Sequence, residues 1–220
     1  MNQSIFAPAK QSSKALQFAA GFLLVAHVAG ITGLTWSLTR PYFQWATPIN
    51  LVVSALLLLL FHRQWNRAFI FFLVFTYVLG YGIEVIGVHS EVIFGSYQYG
   101  RTLGIKVKDV PLVIGVNWFI LSYCIGSICA GLSVHPVVKS LLAAILMVLL
   151  DFFIEPVAIH FDFWHWKNEV VPLRNFLGWF AVAWIIQIFW VYLPFSKQNH
   201  LAAYLLIAQT IFFLILYSIV

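Results

Sequence analysis

Hydrophobic residues in this chain occur in long stretches, separated by short segments that carry most of the polar and charged residues. Seven of these stretches approach or exceed the ~20 residues that an α-helix needs to cross the hydrocarbon core of a bilayer. The predicted spans are 15–37, 47–61, 66–88, 111–132, 137–158, 175–193 and 199–220. The pattern therefore predicts an all-α integral membrane bundle of about seven transmembrane helices.

Two connectors between the predicted helices are longer than the others and rich in aromatic residues. They cover residues 90–110 and 159–174. Because successive helices cross the membrane in opposite directions, both long connectors are expected on the same face. Loops held by a rigid scaffold often carry binding and catalytic residues, so these two connectors are predicted to carry the function.

Composition supports the membrane prediction and excludes a water-soluble globular protein. Hydrophobic residues make up 62% of the chain and charged residues 9%, against ~45–50% and ~25% in soluble domains. The net charge of +5 comes from lysines and arginines scattered in the connectors, so the expected partner is the lipid bilayer and no nucleic acid. We expect one transmembrane domain over residues 1–220, with a polar tail at 1–14.

A motif occurs twice along the chain, with identical spacing from the acid to the last loop aromatic and again from the proline to the tryptophan. Each copy has an acid at a helix end, an aromatic loop and a proline that opens the next helix. In chain order, the copies are Glu84, Phe94, Tyr97, Tyr99, Pro111 and Trp118 in residues 84–118, and Asp151, Phe161, Trp164, Trp166, Pro172 and Trp179 in residues 151–179. Both copies run in the same direction, which predicts a parallel repeat of helices 3–4 and 5–6 about an axis along the membrane normal. Glu84 and Asp151 are then counterparts that face one shared cavity.

Three acidic residues, Glu84, Asp151 and Glu155, fall within or at the end of predicted transmembrane helices. A charge at the centre of a bilayer costs roughly 2.5–3.5 kcal/mol, so these groups need partners, protonation or a polar cavity. Asp151 and Glu155 are four residues apart on one helix face, where two ionised carboxylates repel each other. One of the pair is expected to hold a proton, as a general acid in an apolar site does. The alternative is that the three acids only lock helices together through hydrogen bonds.

Amide and indole side chains stand on the opening turns of the helices that follow each motif. Asn117 and Trp118 occupy one opening turn, and Asn175 and Trp179 the other. An amide can hold a water molecule or a carboxylate, and a tryptophan face can stabilise a cation. Alternatively, such an Asn caps its helix and such a Trp anchors it at the interface. The spacing of His and Cys does not match a metal site, so no metal is expected.

Together these motifs resemble the membrane carotenoid-biosynthesis family that contains carotenoid 1',2'-hydratases and bisanhydrobacterioruberin hydratases. The resemblance is carried in chain order by residues 84–88 (EVIGV), 94–99 (FGSYQY), 110–112 (VPL), 117–118 (NW), 151–156 (DFFIEP), 163–166 (FWHW), Pro172, Asn175-Phe176 and Gly178-Trp179. The first two helices and the last match only as generic hydrophobic segments. His89 and Glu91 depart from the family pattern, which expects smaller or neutral residues there, and this bears on substrate choice.

The resemblance implies an enzyme that adds water to the terminal double bond of an acyclic carotenoid end group and forms a tertiary alcohol. It implies a lycopene- or γ-carotene-like substrate, a multi-pass location in the bacterial cytoplasmic membrane, and other carotenoid-pathway enzymes as partners. The residue chemistry agrees with this reaction. An acid protonates the alkene, aromatic faces tolerate the tertiary cation and a positioned water captures it, without a cofactor.

On this hypothesis, Asp151 donates the proton, and Glu155 favours its protonated form or positions the water. Glu84 orients that water or returns the proton. The substrate-binding residues, which line the cation pocket or hold the water, are Tyr97, Tyr99, Asn117, Trp118, Trp164, Trp166, Asn175 and Trp179.

Two other functions remain open on the sequence. A membrane lycopene-type cyclase begins with the same protonation, but a neighbouring double bond captures the cation, so the product gains no water. A non-enzymatic proton-coupled transporter or carotenoid-binding membrane protein also explains buried acids and a parallel repeat. Product mass separates hydratase from cyclase, and an unchanged pigment indicates the non-enzymatic function.

Overall fold

The structure, a computed structural model, describes residues 12–220, and the predicted polar tail before residue 12 lies outside the described residues. Its helices are α1 (Ser13–Thr35), α2 (Arg40–Leu60), α3 (Arg67–Ser90), α4 (Val113–Cys129), α5 (Pro136–His160), α6 (Leu173–Tyr192) and α7 (His200–Tyr217). Six are long and apolar enough to cross a membrane, and α4 is a shorter apolar helix of 17 residues. The chain is therefore a multi-pass integral membrane protein, which confirms the sequence prediction.

Helix α2 departs most from its predicted bounds, since it begins at Arg40 rather than at residue 47. Pro41 occupies its first turn, where the missing N–H costs nothing. Gln44 interrupts the hydrophobic pattern, but its Nε2 donates to the carbonyl oxygen of Phe161 at 2.8 Å. Hydropathy alone therefore begins this helix too late, because it does not allow for a polar residue that has a hydrogen-bond partner elsewhere in the fold. The ends of the other six helices lie within three residues of the prediction.

Helix α4 lies at the centre of the bundle. Most of its residues are buried, and it packs against α2, α3, α5, α6 and α7. Because protein surrounds most of it, a helix shorter than the ~20 residues of a full span is accommodated inside the bundle. The outer helices instead leave large apolar side chains such as Phe18 and Trp45 exposed, and a bilayer covers these.

The long connectors contain short strands that the all-α prediction does not include. The strands are β1 (Tyr97–Tyr99), β2 (Lys106–Val107), β3 (Val110–Pro111) and β4 (Trp164–Trp166). Strands β2 and β3 form a hairpin whose turn residues, Lys108 and Asp109, both have positive φ, as a type I′ turn requires. Strand β1 pairs antiparallel with β4, which joins the two long connectors on one face of the bundle.

The pairing of β1 with β4 relates the two copies of the motif by a local two-fold axis. The paired residues are Tyr97 with Trp166, Gln98 with His165, and Tyr99 with Trp164. Next to the strands, the amide of Gly100 donates to the carbonyl of Phe163 at 2.8 Å, and the amide of Lys167 donates to that of Ser96 at 2.9 Å. A rotation of 180° about an axis through the Gln98–His165 pair exchanges these two hydrogen bonds. The two connectors therefore contribute equivalent strands, β1 from the first copy of the motif and β4 from the second.

Candidate active site

Glu84 on α3 and Glu155 on α5 line one small cavity against the β1–β4 strand pair. We call this cavity, of about 20 Å³, the hollow. Its lining residues are Glu84, Tyr97, Tyr99, Ile114, Asn117, Trp118, Glu155, Trp164, Trp166, Asn175 and Trp179. Both carboxyl side chains belong to residues that are at most 3% exposed. A space of this size holds about one water molecule.

Three donors hold the carboxyl group of Glu84. The hydroxyls of Tyr97 and Tyr99 donate to its Oε2 at 2.5 and 2.8 Å, and the indole Nε1 of Trp118 donates to its Oε1 at 3.2 Å. Burial and then the charge of Glu84 raise the pKa of both tyrosines above the ordinary value, so both phenols remain donors. A set made only of donors suits a carboxylate.

Glu155 is held in the same way, with indoles in place of phenols. The Nε1 atoms of Trp164 and Trp166 each donate to its Oε2 at 2.8 Å, and Nδ2 of Asn175 donates to its Oε1 at 2.9 Å. Glu155 therefore makes the contacts that mirror those of Glu84. The expectation that Asp151 is the counterpart of Glu84 is off by one helical turn, because α5 presents Glu155 to the strand pair.

Asp151 lies behind Asn175, outside the hollow. It is fully buried, and its Oδ2 accepts a hydrogen bond from Nδ2 of Asn175 at 3.2 Å. Its Oδ1 has no hydrogen-bond partner among residues 12–220. The amide of Asn175 thus joins the two acids of α5.

Aromatic faces form much of the wall of the hollow. The rings of Trp118 and Trp179, which occupy equivalent places in the two motif copies, stack at 4.1 Å between centroids with an interplanar angle of 21°. Trp118 lies directly on Gly80 of α3, where a Cβ atom would be 2.5 Å from the Trp118 side chain. Such ring faces stabilise positive charge close to them.

A larger cavity of about 280 Å³ adjoins the hollow, and we call it the inner cavity. The two volumes share Ile114, Asn117 and Trp164 in their walls. The inner cavity extends between α1, α2 and α7, with mostly apolar lining, and His27 and Gln209 stand among its few polar residues. The Oε1 atom of Gln209 is buried without a partner among the described residues.

The helices give the depth of the inner cavity. Tyr217 on α7 contacts Phe153 on α5, with ring centroids 5.4 Å apart, so these residues lie at one level. Gln209 comes before Tyr217 in α7 and lies about 12 Å from it along the helix axis. Glu155 comes after Phe153 in α5 and lies about 3 Å from it in the opposite direction, so the two distances add. The inner cavity therefore reaches about 15 Å into the bundle from the carboxyl groups.

Comparison with known proteins identifies the family. A family model described as carotenoid biosynthesis protein matches residues 46–220, which is most of the chain. The chain belongs to this family.

Bisanhydrobacterioruberin hydratase of Haloarcula japonica resembles this carotenoid biosynthesis protein, with 31% identity over 107 residues. The match covers 45% of the chain and 36% of the relative, so it spans little more than a third of that protein. No solved structure shows a significant match to the chain. Family membership thus confirms the resemblance that the motifs carry and places the chain in carotenoid biosynthesis.

The fold of this carotenoid biosynthesis protein brings almost all the predicted site residues together. Of the eleven, ten line the hollow, and Asp151 does not. Ile114 completes the wall, although nothing in the sequence distinguishes it from other apolar residues of its helix. Glu91, one of the departures from the family pattern, is exposed and lies outside the hollow. Within residues 12–220, no three His, Cys, Asp or Glu side chains are grouped to hold a metal ion.

Proposed function

We propose that the chain is a carotenoid hydratase of the cytoplasmic membrane, which adds water to the terminal double bond of an acyclic end group. The observation that carries the proposal is a space for about one water molecule between two carboxyl groups, walled by aromatic rings. This hollow adjoins an apolar cavity that suits a hydrocarbon chain.

The substrate is a lycopene- or γ-carotene-like polyene whose end group occupies the inner cavity. Its terminal double bond then lies beside Ile114, Asn117 and Trp164, which border both the inner cavity and the hollow. Asn117 has a side-chain amide at this border, where it can hold the reacting water by hydrogen bonds.

The acid is the Asp151–Glu155 pair, which carries one proton. The two carboxyl groups lie one helical turn apart in apolar surroundings, so ionising both is costly. Glu155 delivers the proton because it lines the hollow, whereas Asp151 lies behind Asn175. The three donors around Glu155 stabilise the carboxylate that remains after the transfer. Asp151 is thus a positioning residue, and the donor role that the sequence assigns to it passes to Glu155.

The reaction balances without a further reactant. The alkene takes the proton of Glu155 at its less substituted carbon, which leaves a tertiary cation beside the rings of Trp164 and Trp179. The water in the hollow attacks this cation, and Glu84 accepts the proton that the water loses. The next water to enter the hollow can bridge Glu84 and Glu155 and return the proton, which restores the starting state.

Expression in bacteria that make lycopene or γ-carotene tests the proposal. We expect a pigment heavier by the mass of one water with the native chain, and none with Glu84→Gln. The exposed Glu91 gives a matched control, since Glu91→Gln alters a carboxyl group outside the hollow and is expected to keep full activity. A new pigment of unchanged mass would instead identify a cyclase, and an unaltered pigment would contradict any enzymatic role.

A further inference from the structure

The inner cavity is too short for a whole carotenoid. It reaches about 15 Å from the carboxyl groups and has His27 and Gln209 at its deep end. A carotenoid polyene is about as long as the ~30 Å hydrocarbon core of a bilayer. When one end lies at Glu155, about half of the polyene must therefore lie elsewhere.

A groove on the opposite side of α2 has the space for that half. It has a volume of about 790 Å³, and we call it the lateral groove. Ile49 and Val52 of α2 form one wall, and Val113 and Val116 of α4 form the other. Ile49 is 47% exposed and Val52 is 43% exposed, so the groove opens towards the lipid.

Leu103 separates the lateral groove from the inner cavity. It is the one residue among those described that lines both volumes, and it is 3% exposed. Its neighbour Thr102 fixes this connector, because its hydroxyl donates to the carbonyl of Phe161 at 2.9 Å. Gly104 has a φ of +80° and lies over Pro48 of α2, where a Cβ atom would be at 3.5 Å. Leu103 is therefore the place where the two volumes share a wall.

We propose that the lateral groove binds the far half of the substrate polyene, which enters from the bilayer past Leu103. This inference rests on the proposed hydratase function. The groove is apolar over most of its length, with Arg101 and Asp162 confined to one end. A methyl-branched polyene suits such a wall, and the groove has space for the part that the inner cavity leaves uncovered.

Filling the groove tests this assignment. Val52→Trp places a large ring inside it, and Leu56→Trp, one turn further along α2, adds the same ring to an exposed position that does not line it. Each variant is assayed with lycopene and with a short acyclic isoprenoid hydrocarbon that has the same terminal double bond and fits the inner cavity alone.

We expect Val52→Trp to raise KM for lycopene about tenfold or more, since it removes several apolar contacts. The kinetic constants for the short substrate and all constants of Leu56→Trp should not change. Ile49→Trp, on the adjacent turn of the same wall, serves as a second variant if Val52→Trp does not fold. Equal effects on both substrates, or no effect on lycopene, would overturn the inference.

A binding measurement separates the groove from the hydration chemistry. Lycopene absorption is followed on binding to Glu155→Gln protein, with and without Val52→Trp, in lipid nanodiscs. If no hydration occurs with any substrate, the proposed function fails, yet weaker lycopene binding with Val52→Trp still supports the groove. If Val52→Trp displaces only a co-purified lipid and lycopene binding is unchanged, the groove is a lipid site and the inference is wrong.

Discussion

Glu84 and Glu155 are each fixed by three hydrogen-bond donors, so neither carboxyl group has to reorganise when charge develops in the hollow. Asp151, one turn away on the same helix, has a single donor and no access to that space. Preorganised groups around a reacting centre are the largest usual source of catalytic power. The difference between neighbouring acids on α5 is therefore the central feature at the scale of single residues.

This difference predicts unequal effects of removing the two acids of α5. Glu155→Gln should lower hydration by about 10²–10⁴-fold, because on the proposed mechanism it removes the group that protonates the alkene. Asp151→Asn should cost much less, since it only removes the neighbour that makes ionisation of Glu155 costly. Both rates are measured on purified protein by pigment mass analysis.

Glu169→Gln, in the exposed part of the second connector, provides the control for this comparison and should behave as native. A loss with Asp151→Asn that equals or exceeds the loss with Glu155→Gln would return the donor role to Asp151.

The candidate site could be predicted from sequence to the extent that its residues are chemically conspicuous. Carboxyl, indole and amide groups are rare in apolar helices, so Glu155, Trp118 and Asn175 stand out. Ile114 does not, because its contribution depends on which face of α4 it occupies. The register of the repeat also points to Asp151 as the mirror of Glu84, and only the contacts of the strand pair show the shift by one turn.

The connectors form an element of their own, and Asp162 ties them together. Its Oδ2 accepts the backbone amide of Arg101 at 3.1 Å, and its Oδ1 lies 2.7 Å from Nε2 of His165. Burial alone would raise the pKa of Asp162, but these hydrogen bonds outweigh it and hold that pKa below the ordinary value. The ionised form of Asp162 therefore stabilises the folded connectors.

The sign of this shift predicts acid sensitivity. When a carboxyl group has a lower pKa in the folded protein than in the unfolded chain, it stabilises the fold at pH values above the unfolded-state pKa. This stabilisation is lost as the pH falls through the folded-state pKa. We expect thermal stability in detergent to decrease below about pH 4, and Asp162→Asn to remove part of that decrease. Asp109→Asn, which alters an exposed contact with His89 at 3.7 Å, should keep the native pH dependence. Identical profiles for Asp162→Asn and native protein would argue against the assignment.

Helices α3 and α4 approach closely at Gly80, and this contact positions Trp118. Gly80→Ala should displace the Trp118 ring, because its Cβ would meet that side chain at 2.5 Å. We expect a loss of stability of about 1–3 kcal/mol from overpacking, together with lower hydration activity. Thermal unfolding and pigment analysis measure the two effects.

Gly82→Ala offers a matched comparison on the same helix, since a Cβ there has no atom within 4 Å. This variant should be neutral or slightly stabilising. If both substitutions behave alike, the close packing of Trp118 on α3 does not position the ring.

Hydropathy predicts the helices well because lipid imposes a uniform requirement along each span. It misses the first two turns of α2, where Gln44 satisfies its amide through Phe161. It also misses β1 and β4, since strands of three residues have too little length for a periodic pattern and depend on pairing between distant segments.

At the scale of the whole molecule, the alternation of seven helices places both long connectors on one side of the membrane. We expect cysteines introduced at Lys108 and at Glu169 to react with an impermeant reagent from the same side. A cysteine at His135, between α4 and α5, should react only from the other side. Native Cys124 and Cys129 are free but buried, so they should give no background, and labelling of Lys108→Cys and Glu169→Cys from opposite sides would contradict the topology.

The cavities belong to the whole bundle and are not visible in the sequence. Leu103 lies in a connector without any distinctive pattern, yet it separates the inner cavity from the lateral groove. Such volumes arise where side chains of several helices fail to fill space, and this depends on packing that hydropathy does not describe.

The half-turn that relates β1 to β4 has a consequence for the origin of the chain. Each copy of the motif contributes one acid, one strand and one stacked tryptophan to the hollow, so neither copy encloses it alone. A polypeptide of half this length would leave a strand edge open and enclose no water, but two identical copies side by side would close both. Gene duplication and fusion of such a symmetric dimer would account for this arrangement, and on the proposed mechanism its two equivalent acids have since taken different roles.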